Sequence, residues 1–115
     1  MRHNKEQVFQ KYKEAPEYVH DALSSNETTA LINSIGKDHN LHIDEIGALS
    51  DEIMFILVGI EPAANLLKNI EAHTSLKGEG AQQAAKEINE KVFSRVRELA
   101  KTVDQSTNTE DDKLA

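Results

Sequence analysis

The chain has 115 residues, which is long enough for one folded domain, and its formal net charge is −7. It contains no cysteine, which excludes disulfides and cysteine metal sites. The acidic balance argues against a nucleic-acid partner, because such binding needs lysine and arginine to neutralise phosphates. The apolar run at residues 53–60 is far shorter than the ~20 residues that cross a bilayer, so no membrane partner is predicted.

The N-terminal part of the chain predicts two short helices separated by a proline. Residues 4–14 place Val8, Phe9 and Tyr12 at helical spacing, and Pro16 ends that helix and can open the next. The inward-facing residues of the second helix are predicted to be Tyr18, Val19, Ala22 and Leu23. Residues 1–5 contain no apolar stretch, so neither a secretory signal nor a membrane anchor is predicted, and the expected location is the cytoplasm.

A third helix is predicted to begin at a capping-box pattern and to run to about Asp38. In that pattern Ser24 and Glu27 each satisfy a backbone N–H group that has no partner within the helix. The apolar line of this helix consists of Thr28, Leu31, Ile32 and Ile35.

A fourth helix is predicted to start with Asp44 as its N-cap and to end near Gly59. Residues 53–60 carry seven apolar side chains, and a short helix that is apolar on every side is usually surrounded by other helices. This segment is therefore the predicted centre of the core.

The C-terminal half of the chain predicts two further helices. Pro62 opens a helix that ends near His73, and residues 75–80, with two glycines, predict a flexible loop. The last helix has apolar residues spaced by three and four, a rhythm that keeps them on one side of a straight helix. These residues are Ala81, Ala85, Ile88, Val92, Val96, Leu99 and Val103.

Together these elements predict an all-α fold, a compact irregular or orthogonal bundle of five to six helices around a central apolar helix. The predicted domain covers residues 1–103. Residues 104–115 are predicted to be an acidic polar tail, frayed or disordered, because they offer too little apolar surface to bury.

The segment before the central helix has the residues most similar to a metal site. Residues 38–44 alternate oxygen and nitrogen ligands like the start of a calcium loop, but Ile43 and Leu49 stand where an EF-hand needs glycine and a chelating glutamate. His39 and His42 could share a transition metal, although a solvated or capping role is commoner for such histidines. We predict no metal and no cofactor, and keep a small-molecule or metal-responsive regulatory domain using this loop as the alternative function.

The sequence contains no motif that predicts an enzyme. Asp51 and Glu52 are adjacent and therefore point about 100° apart on a helix, away from any shared substrate. No phosphate-binding glycine loop or nucleophile elbow is present in the sequence. A helix-turn-helix interpretation also fails, because the recognition helix starting at Asp44 would present only acidic charges to phosphates.

The last helix carries a second line of residues, about 100° from its apolar stripe. Asn89, Phe93 and Arg97 follow one another at intervals of four. In a structural interpretation, Phe93 widens the core face and Arg97 pairs with Asp44 or another carboxylate of the acidic segment. In a functional interpretation, the line binds a partner, because phenylalanine and arginine are common interface anchors.

Four segments in this order resemble an uncharacterised family of small all-helical proteins from candidate-phyla (patescibacterial) bacteria. They are PEYVHDALS at 16–24, IGKDHNLHIDEIGAL at 35–49, VGIEP at 58–62 and INEKVFSRVRE at 88–98. The resemblance implies a cytoplasmic bacterial helical domain and assigns no catalytic residue. The predicted function is a non-catalytic protein-interaction module whose partner is another protein or a second copy of itself.

Overall fold

The computed structural model describes residues 3–102, which form six α-helices and no strand. The helices are α1 (Lys5–Glu14), α2 (Glu17–Ser24), α3 (Asn26–Asp38), α4 (Ile43–Leu57), α5 (Leu66–His73) and α6 (Gly78–Glu87). A 3-10 turn, Ala63–Asn65, leads into α5, and α6 continues through a π-helical turn, Ile88–Phe93, into α-helical residues 94–102. The predicted all-α bundle is confirmed, whereas Val103 and the predicted tail at 104–115 lie outside the described residues.

Of the predicted central segment 53–60, Ile53, Phe55 and Val58 are buried and the other apolar side chains are half-buried, whereas Gly59 is exposed beyond the end of α4. No side chain from residue 51 to residue 58 is exposed, although four residues in the first half of the helix are. Leu49 and Ile53 are fully buried in the main core, and the ring of Phe55 packs edge-on against His3 with 4.6 Å between ring centroids. The main core consists of Ile32, Ile35, Leu41, Ile46, Leu49, Ile53, Leu66, Ile70, Ala81, Ala84, Ile88, Val92 and Phe93.

The N-cap of α3 is Ser25, one residue after the predicted Ser24. Ser25 Oγ accepts hydrogen bonds from the N–H groups of Glu27 at 3.2 Å and Thr28 at 3.4 Å. Ser24 is still the last residue of α2, and its hydroxyl donates to the carbonyl of His20 at 2.9 Å. Because a single residue joins the two helices, only Ser25 has the extended backbone that a cap needs.

The N-cap of α4 is His42, so the prediction of Asp44 in that position is wrong. Asn40 adopts a left-handed conformation with φ of 60°, and the chain is then extended at His42, which starts the helix at Ile43. Glu45 closes this end, because its Oε2 accepts the His42 N–H at 2.9 Å. Asp44 lies in the first turn, where its charge still favours the positive end of the helix.

The connection between α5 and α6 is shorter and more hydrogen-bonded than the flexible loop predicted at 75–80. Glu45 Oε1 accepts the Ser75 N–H at 2.7 Å, and Glu71 Oε2 accepts the Gly78 N–H at 3.0 Å. Buried Thr74 donates its hydroxyl to the Ile70 carbonyl at 2.7 Å. Both glycines lie in the first turn of α6, which begins at Gly78, so the loop prediction is wrong from that residue onward.

The last helix is not the straight helix that its stripe predicts, because a π-helical turn interrupts it. The Ser94 N–H donates to the carbonyl of Asn89, five residues earlier instead of four. Most of the predicted stripe is buried, but the turn adds Phe93 beside Val92, so the buried face is broader than the stripe. Within residues 3–102, no helix is long and apolar enough to cross a membrane.

Helices α3 and α4 approach each other closely at Gly36, which generates a first prediction. A Cβ atom at Gly36 would lie 2.9 Å from Ile46 Cδ1 and closer still to Ile46 Cγ1, inside the core. We expect Gly36→Ala to lower the free energy of unfolding by about 1–3 kcal/mol through overpacking. Urea denaturation measures this change.

Gly47→Ala is the matched control, because a Cβ there meets nothing within 4 Å on the exposed side of α4. We expect this variant to gain about 0.5–1 kcal/mol from helix propensity. Equal changes in the two variants would contradict a close helix contact at Gly36.

Glu45 generates a second prediction, which concerns acid stability. The N–H of His42, followed by hydrogen bonds from Ser75, lowers the pKa of Glu45 below its usual 4.5. A folded-state pKa below the unfolded value stabilises the protein above the unfolded pKa, and this stabilisation is lost as pH falls through the folded pKa. Glu45→Gln is therefore expected to lower Tm at about pH 7, and its difference from the parent should shrink as pH falls below 4.5 and through the folded-state pKa.

Asp44→Asn controls for this experiment, because Asp44 carries the same charge in the same turn and is exposed. It should change Tm less than Glu45→Gln does at neutral pH. If the two variants lose the same stability, the helix dipole alone explains the effect and the hydrogen bonds of Glu45 do not.

Candidate interaction surface

The structure does not bring the predicted line of Asn89, Phe93 and Arg97 together on one exposed surface. Phe93 is 8% exposed and belongs to the main core, whereas Asn89 and Arg97 are exposed. The structural interpretation of Phe93 is therefore correct, and its ring is not accessible to a partner. Partner binding through this line stays a prediction with two exposed members.

Arg95, and not Arg97, forms polar contacts between the last helix and the start of α3. Its Nη1 lies 2.8 Å from Glu27 Oε2, its Nη2 donates to Ser25 Oγ at 3.2 Å, and its Nε donates to Thr28 Oγ1 at 3.3 Å. Within residues 3–102, Arg97 forms no ion pair, so the predicted contact with the acidic segment is not formed there.

The contact made by Arg95 could have been predicted from the sequence. On an ideal helix, Arg95 lies about 60° from Val92, whereas Arg97 lies about 140° away. Arg95 therefore flanks the apolar stripe and faces the helix that the stripe packs against. A comparison of these two angles would have selected the correct arginine.

The two histidines of the 38–44 loop lie in different environments. His39 Nε2 lies 2.6 Å from Glu87 Oε2, which connects the end of α3 to the last residue before the π turn. His42 is exposed at the N-cap of α4. Throughout residues 3–102, no group of three or more potential ligands among histidine, aspartate and glutamate could hold a metal ion.

The adjacent carboxylates of α4 have unequal environments. Glu52 is buried among the residues around the core, whereas Asp51 is half-buried. A pair of catalytic carboxylates needs both groups to reach one substrate. The structure places these two on different sides of the helix, as their spacing predicts.

The outer face of α1 is the surface that sequence reasoning missed. Val8 is buried, but Phe9, which the sequence places at helical spacing with it, is 60% exposed. Neighbouring helix residues point about 100° apart, and α1 touches the bundle along a line too narrow to cover both. Val8 is the only buried residue of α1, with Tyr12 half-buried beside it.

An apolar cleft lies next to the exposed ring of Phe9. It has a volume of about 350 Å³, and its walls, which are almost entirely apolar, come from α1 and from Met54 of α4. The α1 wall consists of Lys5, Val8, Phe9 and Tyr12. We call Phe9 and this cleft the α1 surface.

Two lysines lie beside the α1 surface. Lys13 places its Nζ 4.4 Å from the centroid of the Phe9 ring, a cation–π distance, and Lys5 lines the cleft through its aliphatic stem. Ile43, the other strongly exposed large apolar residue among residues 3–102, lies on a separate groove between α3 and α4. The α1 surface therefore has an exposed aromatic ring, an adjoining apolar cleft and nearby charge.

Comparison of the chain with protein-family models, curated proteins and solved structures found no match. The resemblance to small helical proteins of candidate-phyla bacteria stays a prediction. The α1 surface therefore has to be interpreted from its own chemistry.

The contacts of Arg95 generate a third prediction. Arg95→Ala removes one ion pair and two hydrogen bonds, and leaves the hydroxyl of Thr28, which is 2% exposed, without its arginine donor. We expect a loss of about 1 kcal/mol of unfolding free energy, since Glu27 is largely solvated.

Arg97→Ala is the matched control on the same helix and should stay within about 0.5 kcal/mol of the parent. Urea denaturation of both variants measures the difference. A larger loss of unfolding free energy for Arg97→Ala than for Arg95→Ala would contradict the role of Arg95 and support Arg97, the arginine that the sequence analysis selected.

Proposed function

We propose that this chain is a non-catalytic helical interaction module that binds a protein partner through the α1 surface. The observation that carries the proposal is Phe9, 60% exposed at the rim of an apolar cleft. A solvent-exposed phenylalanine ring leaves apolar area in water that a partner would cover. Aromatic residues are enriched at protein interfaces for this reason.

The chemistry of the cleft favours a protein over a small metabolite. Small-molecule sites combine an apolar lining with a few polar groups that orient the ligand. The walls of this cleft present almost no polar atoms. It therefore suits an apolar side chain from a partner that takes its orientation from contacts elsewhere.

The other candidate functions find less support. The alternative of a metal- or ligand-responsive regulator needs His39 to be available, but His39 lies against Glu87. An enzyme needs reactive groups that converge, but Asp51 and Glu52 diverge. A cytoplasmic bacterial setting, without nucleic-acid or membrane partners, remains part of this proposal as the sequence predicts it.

The test compares three immobilised baits in affinity capture from the source cells: the parent, Phe9→Glu and Ile43→Glu. Both substitutions add an acid at an exposed apolar residue, so both variants should fold. We expect the parent and Ile43→Glu to retain the same proteins, and Phe9→Glu to lose them.

A thermal-shift panel of divalent metals and metabolites accompanies the capture, because a ligand that binds the folded state raises Tm. The proposal fails if all three baits retain the same proteins. It also fails if one compound gives a saturable rise in Tm that His39→Ala abolishes.

A further inference from the structure

We propose that the partner at the α1 surface is a second copy of this chain, whose α1 packs antiparallel across Phe9. The inference rests on the proposed function, because it uses the same surface. It adds an occupant, an orientation and a pairing of charges.

The position of Phe9 suits a two-fold symmetric contact. Helix α1 runs from Lys5 to Glu14, so Phe9 lies near its midpoint. A two-fold axis beside the midpoint of a helix brings its central residue next to the same residue of the partner. Each Phe9 ring would then reach the apolar cleft beside the other ring.

Two pairs of residues flank Phe9 on opposite edges of the helix. Residues seven apart lie about 20° from each other, so Glu6 and Lys13 share one edge, and Lys5 and Tyr12 share the other. Phe9 lies between these two edges, about 50° from each. This is the arrangement of a helix-pairing face with one central anchor and two flanking positions.

Antiparallel pairing makes these edges complementary. On one edge, Glu6 of each copy meets Lys13 of the partner subunit, which forms two equivalent ion pairs. On the other edge, Lys5 meets Tyr12 of the partner subunit, which sets no like charges against each other. Parallel pairing about a two-fold axis would instead set Glu6 against Lys5 of the partner subunit and Lys13 against Tyr12 of the partner subunit, so charge-reversal variants tell the two orientations apart.

The residues that would pair between copies are available for that role. Glu6 and Lys13 are exposed, and within residues 3–102 neither forms an ion pair. Lys13 Nζ lies 4.4 Å from the centroid of the Phe9 ring, so Lys13 would exchange this contact for the carboxylate of Glu6 of the partner subunit.

The size of this face predicts a weak dimer. A ten-residue helix is about 15 Å long, so one helix crossing buries less than the ~1,200 Å² of a standard stable interface. We therefore expect a dissociation constant of about 0.1–1 mM at low salt. Added salt should weaken the dimer, because exposed ion pairs are screened.

Sedimentation equilibrium from about 20 µM to about 2 mM, a range that brackets the expected constant, tests the pairing. We expect a reversible dimer for the parent and for Ile43→Ser, and a monomer for Phe9→Ser. Since Phe9 and Ile43 are both exposed, the two variants should keep the fold, and circular dichroism checks this.

Charge reversal tests the orientation. Glu6→Lys and Lys13→Glu each place like charges opposite one another twice, so each should raise the dissociation constant about five-fold or more. The double variant Glu6→Lys/Lys13→Glu exchanges the charges and should return it to within about two-fold of the parent. Failure of this rescue overturns antiparallel pairing.

The outcomes separate this inference from the proposed function. If the parent is monomeric up to about 2 mM, well above the expected constant, self-pairing is wrong, although Phe9-dependent capture of another protein would still support the interaction module. If capture also proves independent of Phe9, both fail. A dimer that Phe9→Ser leaves intact would place self-association on a different surface and overturn the inference.

Discussion

The enclosure of the second half of α4 is the constraint from which the rest of the bundle follows. No side chain of residues 51–58 is exposed, and four of the eight are buried, so other elements must cover much of this segment. Helices α3, α5 and α6 form the main core around Leu49 and Ile53, while the N-terminal segment covers Phe55 through His3. Val8 is the only residue of α1 that is buried, so the opposite face of this helix is left in solvent. The α1 surface is thus exposed because only one face of α1 packs against the bundle.

The sequence predicts the helices better than it predicts their ends. Apolar periodicity locates every helix because burial of a continuous face has to repeat with the helical turn. The caps at Ser25 and His42 differ from the predicted residues by one and two positions. The N-cap is the residue with extended backbone immediately before the helix. Which residue that is depends on how many residues separate the helix from the end of the preceding one. The π turn has no periodic signature, since it changes a single turn within a stripe that otherwise continues.

The two phenylalanines outside α4 show why the site was harder to predict than the fold. Phe93 is placed on the flank of a stripe by periodicity, yet the structure buries it. Phe9 is placed among apolar neighbours, yet the structure exposes it. In both helices, periodicity gives the direction of the apolar face but not its width, which is set by the helices packed against it. The charge pattern around Phe9 is readable from sequence only after the outward face is known.

The π turn also gives the last helix a place where its length can change. Removing one residue between Asn89 and Phe93 would restore ordinary α-helical bonding there, and the segment before it, with the His39–Glu87 contact, would keep its register. Six π-helical residues turn through about the same angle as five α-helical ones, so the residues after the turn would keep their direction and Arg95 would still face Ser25. In evolutionary terms, this turn can absorb a single codon gained or lost without re-aiming the end of the molecule or rebuilding the core.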